Sequence, residues 1–436
     1  MGGLRSTVVL LVVLVGLGGY IYFVDANRDP GAIDAKPRAF AGLSADDIEE
    51  MQIRSDGGEM SRVRRVGEQW ELIEPSAADA DTGVVGTVTT NLASLEVQRV
   101  VDEQAADLSQ YGLEPARIDV AFRLEGEQDF EHLLVGERTP TGGDLFARRP
   151  DETRVFLISS FLDSIFNKTA FDLRDKAVLK FERDIADGVA LDGPSTHLQF
   201  AKNGATWRIV EPIEARADYA AVEGLITALS STHMQRVVAS DTSELGGYGL
   251  DRPAMTATVT GEGSRASLLI GGQDEGARFA TNTGRPEVFA VEESLLTDLS
   301  KGVSEYRRKD IFDARSFTAT RIETRREDET LSAQRTSTDA DAIWQDASGQ
   351  EIDATVVDDL LAKLSALRAQ AFEDAAPSAP GSALAVTMHF VNDRTETVTF
   401  VRSATDVFAV RSDEPGAARI DAMLFDEALM AVDALQ

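Results

Sequence analysis

Four histidines and a surplus of carboxylates are the side chains here that could move protons or hold a metal. His132, His197, His233 and His389 share no spacing, and none falls in H-E-x-x-H or another metal-ligand pattern. Scattered strand or surface histidines are the simpler reading. Residues 261–266, GEGSRA, fit the G-x-G-x-x-A of a dinucleotide loop, but they join two alternating runs and lead into no helix, so a hairpin turn is expected. From Asp339, DADAIWQDASG begins like a calcium loop, yet Ile343 stands fifth and Trp344 sixth, where glycine is required. No Walker phosphate loop and no G-x-S-x-G elbow occurs. With 74 acidic residues, carboxylate pairs of the glycosidase kind arise freely, and most belong to solvated faces. The chain has no cysteine, which removes disulfides, thiol nucleophiles, iron–sulfur clusters and Cys-ligated zinc. The sequence assigns no catalytic, cofactor-binding or metal residue, and it identifies no small-molecule ligand.

The surroundings of these residues are more informative. At 436 residues, two to four domains are expected, and 43% hydrophobic content is ordinary for a globular protein. A net charge of −31 repels phosphate backbones, so nucleic acid is not an expected partner. Ser6 to Val24 is an uncharged apolar run. As a helix it would span about 28 Å, close to the hydrocarbon thickness of a bilayer. Arg5 precedes it, and Tyr20 and Tyr22 stand near its far end, as an aromatic belt requires. Val24-Asp25-Ala26 also fits a signal-peptidase site, but the run exceeds the usual signal core, which favours a retained single-span anchor. Either way residues 41–436 lie outside the cytoplasm, in the periplasm or beyond the cell, on a short polar tether.

The only three tryptophans, Trp70, Trp207 and Trp344, are each 137 residues apart. WELIEP (70–75) recurs as WRIVEP (207–212), YGLEP (111–115) as YGLDRP (248–253), and VQRVV (97–101) as MQRVV (234–238). LLVG (133–136) answers LLIG (268–271), LFA answers RFA, and VFLI (155–158) answers VFAV (288–291). Two units close in a basic-acidic knot, DLRDK (172–176) and YRRKD (306–310). Such self-similarity marks a tandem repeat. The third copy keeps its tryptophan and a final VFAV (407–410) but lacks YGL and the LLVG glycine, so it reads as degenerate.

Within a unit, Asn203-Gly204 lies between alternating runs and predicts a hairpin. Trp207 and Ile209 then share one face, and Pro212 ends the strand. Asp81, Asp218 and Asp353 stand at N-cap positions before apolar helical stripes, Val84-Val88-Leu92-Leu95, Val222-Leu225-Ile226-Leu229 and Val356-Leu360-Leu364-Leu367. Alternating runs after YGL-x-P predict an antiparallel meander, and a short helix closes the unit. The expected fold class is α+β: a single N-terminal transmembrane helix in 1–40, then units at 41–176, 177–312 and a degenerate 313–436. A repeated tryptophan is core more often than it is a platform for a stacked ligand.

The N-terminal span followed by W-x-x-x-x-P, the acidic cap, R-V-V, YGL-x-P, L-L-[VI]-G and the basic-acidic knot resembles the bacterial family called domain of unknown function 4340. That resemblance covers residues 1–312 well and the third unit poorly. It implies a membrane-anchored, exported body that accompanies gliding-motility-type ABC transporter subunits, and it defines no catalytic residues. The expected function is a non-enzymatic accessory or scaffold at the inner membrane, whose partners are the membrane and ABC-type transporter or other envelope subunits. The rival is an envelope hydrolase or glycan-binding protein using a carboxylate pair.

Overall fold

In the computed structural model each repeat is one continuous antiparallel sheet of nine strands. The structure describes residues 36–285, 287–313, 318–327, 329–337, 343–378, 383–391 and 394–435. In the first sheet the strands are β1 (Ile48–Arg54), β2 (Met60–Val66), β3 (Gln69–Glu74), β4 (Ala78–Asp79), β5 (Arg99–Asp102), β6 (Ile118–Leu124), β7 (Glu131–Arg138), β8 (Asp144–Arg148) and β9 (Val155–Ser159). Their order is β4-β3-β2-β1-β6-β7-β8-β9-β5.

The second sheet repeats this order with β10 (Gly188–Asp192), β11 (His197–Asn203), β12 (Thr206–Glu211), β13 (Ala215–Arg216), β14 (Arg236–Ala239), β15 (Met255–Gly261), β16 (Ser264–Asp274), β17 (Ala277–Asn282) and β18 (Val288–Glu292). The third does so with β19 (Ala319–Arg326), β20 (Glu329–Arg335), β21 (Trp344–Gln345), β22 (Glu351–Ile352), β23 (Ala369–Glu373), β24 (Ala383–Phe390), β25 (Thr395–Ser403), β26 (Asp406–Arg411) and β27 (Ala417–Ile420). Backbone contacts divide the chain into two units, one ending at Lys176 and one running from Ala177 with the second and third sheets.

The expected α+β class is therefore corrected to a predominantly antiparallel β architecture. The hairpin and the meander are not separate pieces. In each repeat the first strand lies between them and pairs with both, as β1 does with β2 and β6. That strand becomes visible only through partners far away in sequence, and the edge strands are too short to show a period. Among the described residues no helix is long and apolar enough to cross a membrane. The Ser6–Val24 span lies outside the described residues.

Helices cover one face of each sheet. The principal ones are α1 (Thr82–Ala93), α4 (Tyr219–Ser231) and α7 (Ala354–Ala366); shorter ones are α2 (Leu162–Phe166), α3 (Ala170–Leu173), α5 (Glu293–Leu299) and α6 (Val303–Tyr306). All three predicted aspartates cap as expected: Asp81 accepts from the amides of Gly83 and Val84, Asp218 from Ala221, and Asp353 from Thr355. The buried stripe is shifted slightly from the predicted one, since Val85 and Val357 are buried where Val84 and Val356 are half-buried.

Three further readings change. Gly204 and Ala205, not Asn203 and Gly204, are the central residues of the turn between β11 and β12, because Asn203 pairs with Thr206. Gly204 alone has a positive φ, +60°, which places glycine first in the turn as type II′ geometry favours. The third unit is not a worn-down copy, for its sheet has all nine strands in the same order. What it replaces is the pair of short helices, exchanged for the single twelve-residue α8 (Ala422–Asp433). Its VFAV (407–410) lies on β26, the counterpart of β17, so it matches RFA (278–280); the counterpart of β18 is β27.

Candidate functional site at the seam of the second and third sheets

Each tryptophan is buried on the helix-covered face: Trp70, Trp207 and Trp344 are 3%, 2% and 1% exposed. The residue directly across the hairpin is a cation in every repeat. Arg65 pairs with Trp70, Lys202 with Trp207 and Arg335 with Trp344. These cations lie 5.0, 5.4 and 5.1 Å from the ring centroids, where the ring quadrupole attracts them. Trp207 Nε1 donates to Glu223 on α4 at 2.9 Å. The aromatic faces are thus covered from within, and stacking on a ligand would require displacing the cation.

YGL and LL[VI]G form one device. Gly112 and Gly249 end short turns with φ of +67°, a conformation that favours glycine. The preceding tyrosine carbonyls rest on Gly136 and Gly271, where a Cβ would approach the Tyr111 and Tyr248 oxygens to 2.1 and 2.4 Å. Tyr111 packs on Phe146 at 5.0 Å and Tyr248 on Phe279 at 5.1 Å, so the phenylalanine of LFA and RFA belongs to the same cluster.

The YRRKD knot stitches the second sheet to the third. On one side Tyr306 O accepts from Asp218 N at 2.7 Å, and Arg308 N donates to Arg216 O at 3.0 Å. On the other, Ile311 N donates to Leu367 O at 3.1 Å and Lys309 O accepts from Ala369 N at 2.7 Å. Side chains reinforce the stitch. Glu414, 5% exposed, accepts from both Arg216 and Arg307, and Arg307 also lies 4.0 Å over Phe372. Arg216 donates as well to Asp313 and to Asp310 O. Arg411 reaches Ile311 O at 2.7 Å and grips Asp413 with two 2.9 Å bonds. Glu396, also buried, accepts from Asp313 N at 2.8 Å and from Arg394.

Burial works against the charge of Arg411, but the Asp413 bond and the charges of Glu396 and Asp313 outweigh it and hold its pKa above the ordinary arginine value. Burial likewise pushes Asp413 up, and the Arg411 bond outweighs it, so its carboxyl sits below the usual range. Beside this network opens a cavity of about 630 Å³. Arg208, Arg216, Arg308 and Arg394 line it together with Asp218, Asp310, Asp313 and Asp413, next to the edge of Trp207. Opposite charges are interleaved around the wall, and its paired acids and arginines are committed to holding two sheets together.

The family model for Domain of unknown function (DUF4340) matches residues 70–206 and 207–383. The chain belongs to the DUF4340 family. Both matched segments begin at a repeated tryptophan, Trp70 and Trp207, so the DUF4340 unit starts inside a hairpin and is out of phase with the folded sheet. No curated protein matches the chain.

Elsewhere in this DUF4340 protein, Glu50 is fully buried and ringed by Arg62, Arg64 and Arg123, a paired group rather than a free acid. The histidines stay apart. His132 meets Asp119 at 2.9 Å, His389 meets Thr395, and the exposed His197 lies between Asp192 and Glu211, 2.6 Å from each. Among the described residues no group of three His, Asp or Glu side chains is arranged to hold a metal ion. GEGSRA is the β15–β16 hairpin, with Glu262 and Gly263 as its turn. Asp339 to Ala342 of the rejected calcium loop lie outside the described residues.

Sequence reasoning missed a receiving device that recurs as R-x-D-E. Arg149 donates to Ala39 O at 3.0 Å and to Asp151, over the Phe40 ring, just as Arg411 serves Ile311 O and Asp413. In the second repeat Asn282 takes the arginine's place and donates to Val178 O at 2.7 Å. The signal was present as Arg149-Pro150-Asp151-Glu152 and Arg411-Ser412-Asp413-Glu414, 262 residues apart and so out of step with the 137-residue period.

Proposed function

We propose that this DUF4340 protein is a non-enzymatic accessory or scaffold that works outside the cytoplasm, held at the inner membrane by its apolar N-terminal segment, beside subunits of an ABC-type transporter. One observation carries the scaffold reading: the tryptophan, YGL, LL[VI]G and basic-acidic motifs are all engaged in packing or stitching. The tryptophans sit under their cations, YGL rests on the LL[VI]G glycine, and YRRKD joins two sheets. A chain whose repeated residues are spent on building its sheets leaves recognition to their remaining surface, which suits protein contacts. The location rests on Arg5, the Ser6–Val24 run and the tether that follows. The transporter association rests on the family resemblance.

Cross-linking in intact cells, followed by recovery through the N-terminal segment, is expected to bring down permease or neighbouring envelope subunits. A reporter active only in the cytoplasm, fused at the C-terminus, is expected to stay silent. Cleavage of a glycan or peptide by the purified protein, abolished by one carboxylate substitution that leaves the fold intact, would instead establish the hydrolase reading.

A further inference from the structure

In the first two repeats a fixed lane beside the outermost short strand is filled by the chain's own linker. Along β4, Leu173 O accepts from Asp81 N at 2.8 Å, Asp175 N donates to Asp79 O at 2.9 Å, and Arg174 bridges Ala80. Along β13, Tyr306 O accepts from Asp218 N, Arg308 N donates to Arg216 O, and Arg307 bridges Ala217. The lane segments read Leu-Arg-Asp-Lys (173–176) and Tyr-Arg-Arg-Lys (306–309), with a buried arginine at the bridge and a lysine two residues on.

The third repeat presents the same edge at Glu351-Ile352-Asp353, set by the pairing of Trp344 with Ile352 and by the Asp353 cap. Here no described residue occupies the lane. The Glu351 carbonyl and the Asp353 amide have no hydrogen-bond partner among the described residues. Glu351 and Asp353 are exposed, and Ile352 is half-buried where Ala80 and Ala217 are each 6% exposed. After β27 the chain turns instead into α8, which buries Phe425, Ala428, Ala431 and Val432.

We propose that this edge is a docking site for an extended, arginine- or lysine-bearing segment of a protein partner, added as a further strand. The two internal precedents set the hydrogen-bonding pattern and the bridging arginine. Glu351, Asp353 and the nearby Asp346 supply the complementary charge. A second copy is a poor occupant. Glu351 stands where Arg216 stands at the stitched seam, and in the first repeat Glu152 stands where Glu414 receives that arginine, so self-docking would set acid against acid. Strand addition draws affinity from backbone bonds and specificity from side chains. This inference deepens the scaffold reading and rests on its claim that the protein works by binding.

The probe is a labelled peptide with the sequence of residues 303–309, VSEYRRK, offered to the full chain. It is expected to bind and to photo-cross-link at Glu351–Asp353. N-methylation at the position of Arg308, which removes the amide that would donate to Glu351 O, is expected to weaken binding about tenfold, the worth of one strand hydrogen bond. Glu351→Lys on the protein is also expected to weaken binding. Absence of binding, equal binding of the methylated peptide, or cross-links elsewhere would overturn the proposal. Failure here with successful recovery of envelope subunits in cells would leave the scaffold reading standing and remove only the docking edge.

Discussion

Gly136 lies directly beneath the Tyr111 carbonyl, close enough that a Cβ on the glycine would come within 2.1 Å of that oxygen. Gly271 and Tyr248 repeat the relationship at 2.4 Å. The third repeat lacks both partners, the expected outcome when loop and glycine exist for one another. Gly136→Ala should therefore push the YGL turn off the sheet and cost about 1–3 kcal/mol, the range for overpacking. Urea unfolding of the full chain checks this. An unchanged midpoint would show that the loop gives way freely.

The cation–tryptophan pairs allow a graded comparison. Trp207→Ala opens a cavity under α4 and should cost about 3–5 kcal/mol. Lys202→Ala removes the cation, together with its 3.8 Å ion pair to Glu223, from a partly exposed site and should cost about 0.5–1 kcal/mol. Similar losses from the two substitutions would mean that the lysine is as much a part of the core as the ring.

At the seam, Glu414→Ala leaves Arg216 and Arg307 buried without their shared acceptor. The expected cost is about 1.5–3 kcal/mol, the worth of hydrogen bonds to a charged group, because Arg216 keeps Asp313 and Arg307 keeps the Pro415 carbonyl. Amide exchange at residues 306–312 should rise in step, because that segment is the stitch. Replacing both arginines by methionine in the Glu414→Ala background should recover much of the loss. Protection that persists in the single variant would refute the seam.

His197 gives the pH dependence. The bond to Asp192, and next that to Glu211, favour its imidazolium and raise its pKa above the ordinary histidine value. A raised folded value means the stabilisation is complete below the unfolded value and is lost as pH rises through the folded one. The His197 titration midpoint by NMR should stand above that of a free histidine, and His197→Gln should flatten this part of the stability profile. A midpoint at or below the free value would contradict the bridge.

The Trp–hairpin–Asp cap arrangement was readable because its residues are close in sequence and recur at a constant interval. The central strand β1 was not, since its pairing with β6 joins residues such as Met51 and Phe122 that share no local pattern. The seam was hidden for the same reason: Arg216 and Glu414 are 198 positions apart. The VFAV at 407–410 misled because strands β18 and β26 meet the same packing demand with the same letters. The β class is hidden because capped helices announce themselves, whereas strands of two to four residues, such as β4, β5, β13 and β14, have too little length to alternate.

Because each linker fills the lane beside the repeat before it, a repeat is finished by residues that follow it. In the first, Asp81 waits for Leu173; in the second, Asp218 waits for Tyr306. A chain emerging N-terminus first must hold each sheet with an unsatisfied edge until the next stretch arrives, and every linker then closes one sheet as it opens the next. Order of appearance becomes order of completion, and a pause after residue 159 or residue 292 would expose the edge that the following linker is placed to close.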